Sequence, residues 1–389
     1  MTSRYRAGLA RFLYNATMWF AIAFGILPFR YNTKLQQITP SKYYLIYSVF
    51  MNALIVIASV CAWPWKEFLD LDLLSNYKLM EILTRVTVVL NIYTLTIIFC
   101  IKFRAYKSVL DIFNEFAAIE RVYYAKYAAL ARKCTTYDNY IILKGLATFL
   151  QNISFIFILF VTPIESNVNP VVVLAFAIIL GNIIFLVVLL FYNCVITTYR
   201  YIWILQRRLQ NIADYGAKSR HSSVVTREIY EIAAAYMRLL KVCKGFGRVY
   251  GHQLLISIGA IMCANIQTLY YLRILWSGKV TELALLDTFY IFQSVAINIF
   301  DFWLNISVCE LALGVARDMA QSLRSFTNFA QLDVELERSL EVLATVCRKN
   351  VPEFRLCGLI DLNHLNGLKT LQTMILYLIY LVQFSYKDF

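Results

Sequence analysis

Seven windows of about twenty apolar residues punctuate this 389-residue chain. They are Tyr43–Trp63, Ile82–Ile101, Tyr140–Val161, Val171–Tyr192, Leu254–Trp276, Ala284–Cys309 and Leu368–Tyr386. A helix of that length spans the ~30 Å hydrocarbon core of a bilayer, and in lipid an isolated segment must satisfy its own backbone groups. Only 16% of the residues are charged and 60% are hydrophobic, against ~25% charged in a soluble domain. The sequence therefore predicts an all-α, polytopic membrane protein with seven transmembrane helices.

The basic residues orient these windows. Lys plus Arg between successive windows number 6, 2, 7, 0, 10, 2, 6 and 1 along the chain. By the positive-inside rule, this alternation puts the N-terminus in the cytosol and the C-terminus outside. The net charge of +13 then faces the anionic inner leaflet, so membrane lipids are its partner and nucleic acid is not needed to explain it.

The inner segments are long enough to fold. Arg200–Tyr250 carries Ile202, Leu205, Leu209 and Ile212, then Ile229, Ile232, Tyr236, Leu239 and Cys243, in the three-and-four steps of amphipathic helices. Arg317–Asn350 repeats the pattern with Leu323 and Phe326, then Leu336, Leu340, Leu343 and Val346. Windows four, five and six are thus expected to continue as cytosolic helices. The expected organisation is a cytosolic segment 1–42 with a short interfacial or re-entrant helix over Phe12–Phe29, and a six-span bundle 43–309 with an extension at 200–250. Anchor helices follow over 310–367, and a last span over 368–389.

Enzyme chemistry finds no support. The chain lacks GxSxG, GxxxxGKS and HExxH, and Gly245-Phe-Gly247-Arg-Val-Tyr-Gly251 follows a helical pattern rather than a strand. Cys347, Cys357 and His364 do not have zinc-finger spacing and lack a fourth ligand. No cofactor, metal or catalytic residue is expected.

Polar residues inside the windows are the better signal, because lipid makes them expensive. Glu81 and Arg85 stand four apart and read as an interfacial pair. Lys144 reads as snorkelling inward, and Asp301 and Asn305 as reaching a partner on a cytosolic helix. The outer halves of the windows mix aromatic and amide groups: Gln151, Asn152 and Phe155; Phe176; Gln267 and Tyr270; Asp287, Tyr290 and Gln293. Together with Arg85 they are candidates for an apolar pocket with a few polar directors, set against ordinary interhelical packing and an aromatic belt.

The last window is not evenly apolar. Lys369, Thr373, Tyr380 and Gln383 share one helical face, and Leu371, Ile375, Leu378 and Val382 the other. A polar stripe on a spanning helix predicts contact with water.

Tyr377, the run Leu378–Val382 and Gln383-Phe384 resemble the closing Thr-Tyr-five-hydrophobic-Gln-Phe motif of insect gustatory receptors, with Leu376 in place of the Thr. Asp301-Phe-Trp-Leu-Asn305, Glu337-Arg-Ser-Leu340 and Phe354-Arg-Leu-Cys-Gly-Leu359 are similar to one fly subfamily. The resemblance implies seven spans with the N-terminus inside, and homo- or hetero-tetramers acting as ligand-gated cation channels. It further implies a small-molecule tastant of bitter or aversive type and a plasma-membrane location in dendrites of gustatory neurons. The cytosolic helices would anchor the tetramer and the last span would line the pore, with Thr373, Tyr377, Tyr380, Gln383 and Phe384 as pore and gate residues. A G-protein-coupled receptor is the rival with seven spans. The charge alternation opposes it, and no Asp-Arg-Tyr ends the third window nor Asn-Pro-x-x-Tyr the seventh. A transporter would be expected to show internal repeats or broken helices, and neither is evident.

Overall fold

A computed structural model describes residues 3–32, 37–61, 78–161, 170–216, 222–276, 285–328 and 333–385. Almost all of them are helical. Helix α1 spans Ser3–Ala23, α2 Lys42–Cys61, α3 Lys78–Arg104 and α4 Tyr106–Ile119. Short π, 3-10 and α turns carry the chain over 120–131. Then follow α5 Thr135–Val161, α6 Pro170–Gly216, α7 Ser222–Trp276, α8 Leu285–Ser322, α9 Val334–Lys349 and α10 His364–Ser385. Among the described residues, α2, α3, α6, α7, α8 and α10 are long and apolar enough to cross a membrane. The 27-residue α5 packs among them against α6 and α8.

Three of these helices outrun any bilayer. With 47, 55 and 38 residues, α6, α7 and α8 rise about 1.5 Å per residue and extend well past a ~30 Å core. Their apolar stripes close on one another beyond the spanning part: Ile202, Leu205, Leu209, Ile229, Ile232 and Tyr236 are fully buried. Amphipathic α9 lays Leu340, Leu343 and Cys347 against α7, and burial there pushes the Cys347 thiol up to about 12. Tyr124 stacks on Tyr201 at 4.4 Å and donates to its carbonyl at 3.1 Å. Burial raises the Tyr124 hydroxyl well above its ordinary range, which keeps it protonated as a donor.

The N-terminal helix differs from the expected Phe12–Phe29. It begins at Ser3 and stops at Ala23, because Gly25 takes φ +68 and its N–H turns back to the Ile22 carbonyl at 2.9 Å. That left-handed residue is the usual C-terminal stop of a helix. Lys102 of α3 completes it, donating to the Gly25 carbonyl at 2.5 Å and to Ser48 Oγ at 2.7 Å, while Ser48 Oγ itself donates to the Gly25 carbonyl at 2.6 Å. A cation suits the negative end of a helix. The chain then forms a hairpin, β1 Phe29–Asn32 against β2 Gln37–Pro40, with Phe29 opposite Pro40. Helix α1 packs on α5 and α6, and Gly145 of α5 gives it room: a Cβ there would meet Leu13 Cδ1 at 2.8 Å.

A second hairpin feeds the last helix. Strands β3 Arg355–Leu356 and β4 Ile360–Asp361 flank a turn in which Leu359 N–H reaches the Leu356 carbonyl at 2.9 Å. Both central residues are left-handed, Cys357 at φ +54 and Gly358 at φ +72, as in the tight turns that match strand twist. The motif Phe354-Arg-Leu-Cys-Gly-Leu359 therefore builds this hairpin. Phe354 buries its ring on Phe246, and Arg355 pairs with Asp361 across the strands at 2.7 Å. Asn363 then caps α10, its Oδ1 accepting the Asn366 N–H at 2.8 Å.

Candidate functional site

Helix α10 lies at the edge of the bundle. Only 11% of its apolar window is buried inside the chain, against 61% for α6. One side packs: Leu371 and Met374 meet Met262, Phe302 and Ile306, and farther along Leu378, Leu381 and Val382 meet Met80, Tyr270 and Ile274. Of the apolar face expected from the sequence, Leu371, Leu378 and Val382 are on this side, whereas Ile375 is 54% exposed. All five pore and gate candidates, Thr373, Tyr377, Tyr380, Gln383 and Phe384, are exposed. The other described residues leave them uncovered.

Thr373 and Tyr377 also border a groove of about 590 Å3 between α10, α7, α8 and the β3–β4 hairpin. Its apolar wall includes Met262, Ile266, Phe302 and Ile306. None of the seven ligand-pocket candidates whose side chains are described lines it.

The seven with described side chains are distributed over several separate contacts, within and between helices. Arg85 forms an ion pair with Glu81 on the surface of α3. Gln151 of α5 donates to Ser294 Oγ of α8 at 3.3 Å, and both are buried. Asn152 exchanges two hydrogen bonds with Asn182 of α6, at 3.2 and 2.6 Å. Gln267 of α7 donates to Thr84 of α3 at 2.9 Å. Tyr270 is buried beside Met80. Tyr290 of α8 stacks face to face on Phe157 of α5 at 4.1 Å, and Gln293 beside it is half-buried. The side chains of Phe155, Phe176 and Asp287 lie outside the described residues.

A polar stripe on α8 connects part of this set. Ser294, Asn298, Asp301 and Asn305 stand four, three and four residues apart and so share a face. Ser294 meets Gln151, and Asn298 donates to Asn265 of α7 at 2.7 Å. Among the described residues, Gln151 Oε1, Asn298 Oδ1 and Asn265 Nδ2 are buried without a hydrogen-bond partner. Two acceptors and one donor held in an apolar bundle can orient a small polar molecule.

Lower on the stripe, Lys144 of α5 corrects both readings made from the sequence. It does not snorkel: its side chain is 3% exposed and its Nζ lies 2.6 Å from Asp301 Oδ1 and 3.3 Å from Asn305 Oδ1. Asp301 accordingly pairs with a neighbouring span rather than with a cytosolic helix. The Tyr192 ring of α6 faces the ammonium at 5.1 Å. Ser294, Asn298 and Asn265 went unmarked in the sequence, although the period of the α8 stripe signals the first two.

The chain matches the 7tm Chemosensory receptor family over residues 14–388. It is 27% identical over 382 residues to "Putative gustatory receptor 22a" of Drosophila melanogaster, covering 97% of this chain and 95% of that protein. It is 25% identical over 372 residues to "Gustatory receptor for bitter taste 22e" of the same fly, covering 93% and 92%. Its fold is similar to that of the insect olfactory receptor OR5 from Machilis hrabei solved in complex with eugenol, with TM-score 0.70, 12% identity, and 97% and 99% of the two chains covered.

Proposed function

We propose, from the premise that this chain belongs to the 7tm chemosensory receptor family, that it is a taste receptor acting as a ligand-gated, non-selective cation channel for bitter or aversive compounds. The observation that carries this reading is α10. It is long and apolar enough to span a membrane, its packed side is apolar, and Thr373, Tyr377, Tyr380 and Gln383 are exposed among the described residues. One such helix cannot enclose a path, whereas symmetric copies can. The reading therefore takes a homo- or hetero-tetramer, with α10 at its centre and the extensions of α6, α7 and α8, with α9, as the cytosolic anchor. The N-terminus is then inside, as the basic residues require, in the plasma membrane of gustatory neurons. The name of one fly relative, a bitter-taste receptor, supports the ligand class.

A tastant binds among α3, α5, α6, α7 and α8, where interhelical amides and aromatics lie, and favours the open arrangement by its higher affinity for it. Gln383 and Phe384 form the constriction near the outer end, where rings of amide and aromatic groups gate by dewetting. Patch recording from cells expressing the chain tests this. Gln383→Ala and Phe384→Ala are expected to alter conductance, selectivity or basal leak; identical behaviour of both to the parent removes these residues from the gate. A response abolished by blocking G-protein signalling would favour a metabotropic receptor instead.

A further inference from the structure

We propose that the Lys144–Asp301–Asn305 cluster is the positioning element that couples the amide-bearing half of α8 to α10. The inference deepens the channel reading above and rests on it for its consequence in gating. The geometry begins with a constraint of fixed length. Lys144 Nζ holds Asp301 Oδ1 at 2.6 Å and Asn305 Oδ1 at 3.3 Å, and Asn305 Nδ2 turns back to the Asp301 carbonyl at 2.6 Å. Two leucines would also join α5 to α8, without the desolvation that a buried ion pair suffers in lipid. The ion pair adds what leucines lack, a directional tie at one register.

The tie sits next to the surface that holds α10. Phe302 follows Asp301 by one residue, about 100° around the helix, and Ile306 lies one turn farther. Both are buried against Met374. At the same contact Gly367 has no slack, for a Cβ there would fall 2.3 Å from Ile306 Cδ1. Helix α8 is unbroken from Leu285 to Ser322. Its upper stripe, where Asn298 has an unpaired oxygen beside the unpaired polar atoms of Gln151 on α5 and Asn265 on α7, therefore shifts as one body with Phe302 and Ile306. A ligand that engages those atoms pulls on α8. The ion pair makes the pull a rotation about a fixed point, and the Ile306–Gly367 contact delivers it to α10.

The test uses the full chain in cell membranes. One variant combines Lys144→Met and Asp301→Leu, which removes the charges but keeps apolar bulk. A second exchanges them, Lys144→Asp with Asp301→Lys. In each background Ile306→Cys and Gly367→Cys report the α8–α10 approach by oxidative cross-linking with copper phenanthroline. A protease site inserted between α8 and α9 makes the link visible on a gel without reductant. Surface labelling confirms that each variant is delivered, and basal current is recorded in parallel. Loss of the charges is expected to slow cross-linking at least ~5-fold, the lower end of ordinary coupling between sites, and to change the basal current; the exchange restores both. Unchanged cross-linking in the delivered, charge-free variant overturns the proposal. If cross-linking responds as expected but no chain, parent included, passes current, the channel reading fails and the positioning role of the cluster stands.

Discussion

Helices α8 and α10 are both long and apolar, and both carry polar residues at helical spacing. Their fates differ. On α8, Ser294, Asn298, Asp301 and Asn305 all find partners on α5 or α7. On α10, Lys369, Thr373, Tyr380 and Gln383 are all exposed. The same one-dimensional pattern thus records two different environments, one supplied by the chain itself and one to be supplied by something outside it. What separates them is the neighbourhood: half of the α8 window is buried, and about a tenth of the α10 window.

Damage to the two stripes is therefore expected to differ in kind. The largest expected effect is Asp301→Asn, which strands the Lys144 ammonium in the bundle and costs about 3–5 kcal/mol. Thermal melting of the purified chain in detergent should show the loss, and adding Lys144→Met should recover most of it. Wild-type stability of Asp301→Asn alone would break the contrast. An intermediate effect is expected at the seam between the two helices. Gly367→Val collides with Ile306 and should cost about 1–3 kcal/mol by overpacking, with partial rescue by Ile306→Ala. The smallest effect belongs to the uncovered stripe. Gln383→Ala and Phe384→Ala should each shift stability by no more than about 0.5 kcal/mol, even where they change current. A large loss of fold stability at Gln383 would mean that it has a partner within the chain.

The extent to which the sequence foretold these features follows from the range of the interactions. Apolar windows and amphipathic stripes are local, and Ile202, Leu205, Leu209, Ile229 and Ile232 are buried together as their spacing requires. On α10 the spacing put Lys369, Thr373, Tyr380 and Gln383 on one face, and all four are exposed, but so is Ile375 from the opposite face. Pairings across the bundle were not. Lys144 and Asp301 are 157 residues apart, and nothing local in either segment indicates that they meet. Snorkelling and a cytosolic partner were the best that each could suggest alone. The pocket candidates illustrate the same limit: Gln151, Asn152 and Gln267 each found a polar side chain, but on three different helices. Within the turn of the hairpin before α10 the sequence offers one glycine, Gly358, and the other left-handed residue is a cysteine, which seldom adopts that conformation.

The cap on α1 has a consequence for biosynthesis. The carbonyl of Gly25 accepts from Ser48 Oγ on α2 at 2.6 Å and from an ammonium 77 residues downstream. While the chain is being made, α1 and α2 leave the ribosome before the residue that finishes the first helix exists. Ser48 of α2 can begin to cap the helix, and the N-terminal helix, its hairpin and the first two spans form a unit that is completed on insertion of α3. A chain stopped before Lys102 should leave its N-terminal segment open to proteases, and one stopped soon after α4 should protect it.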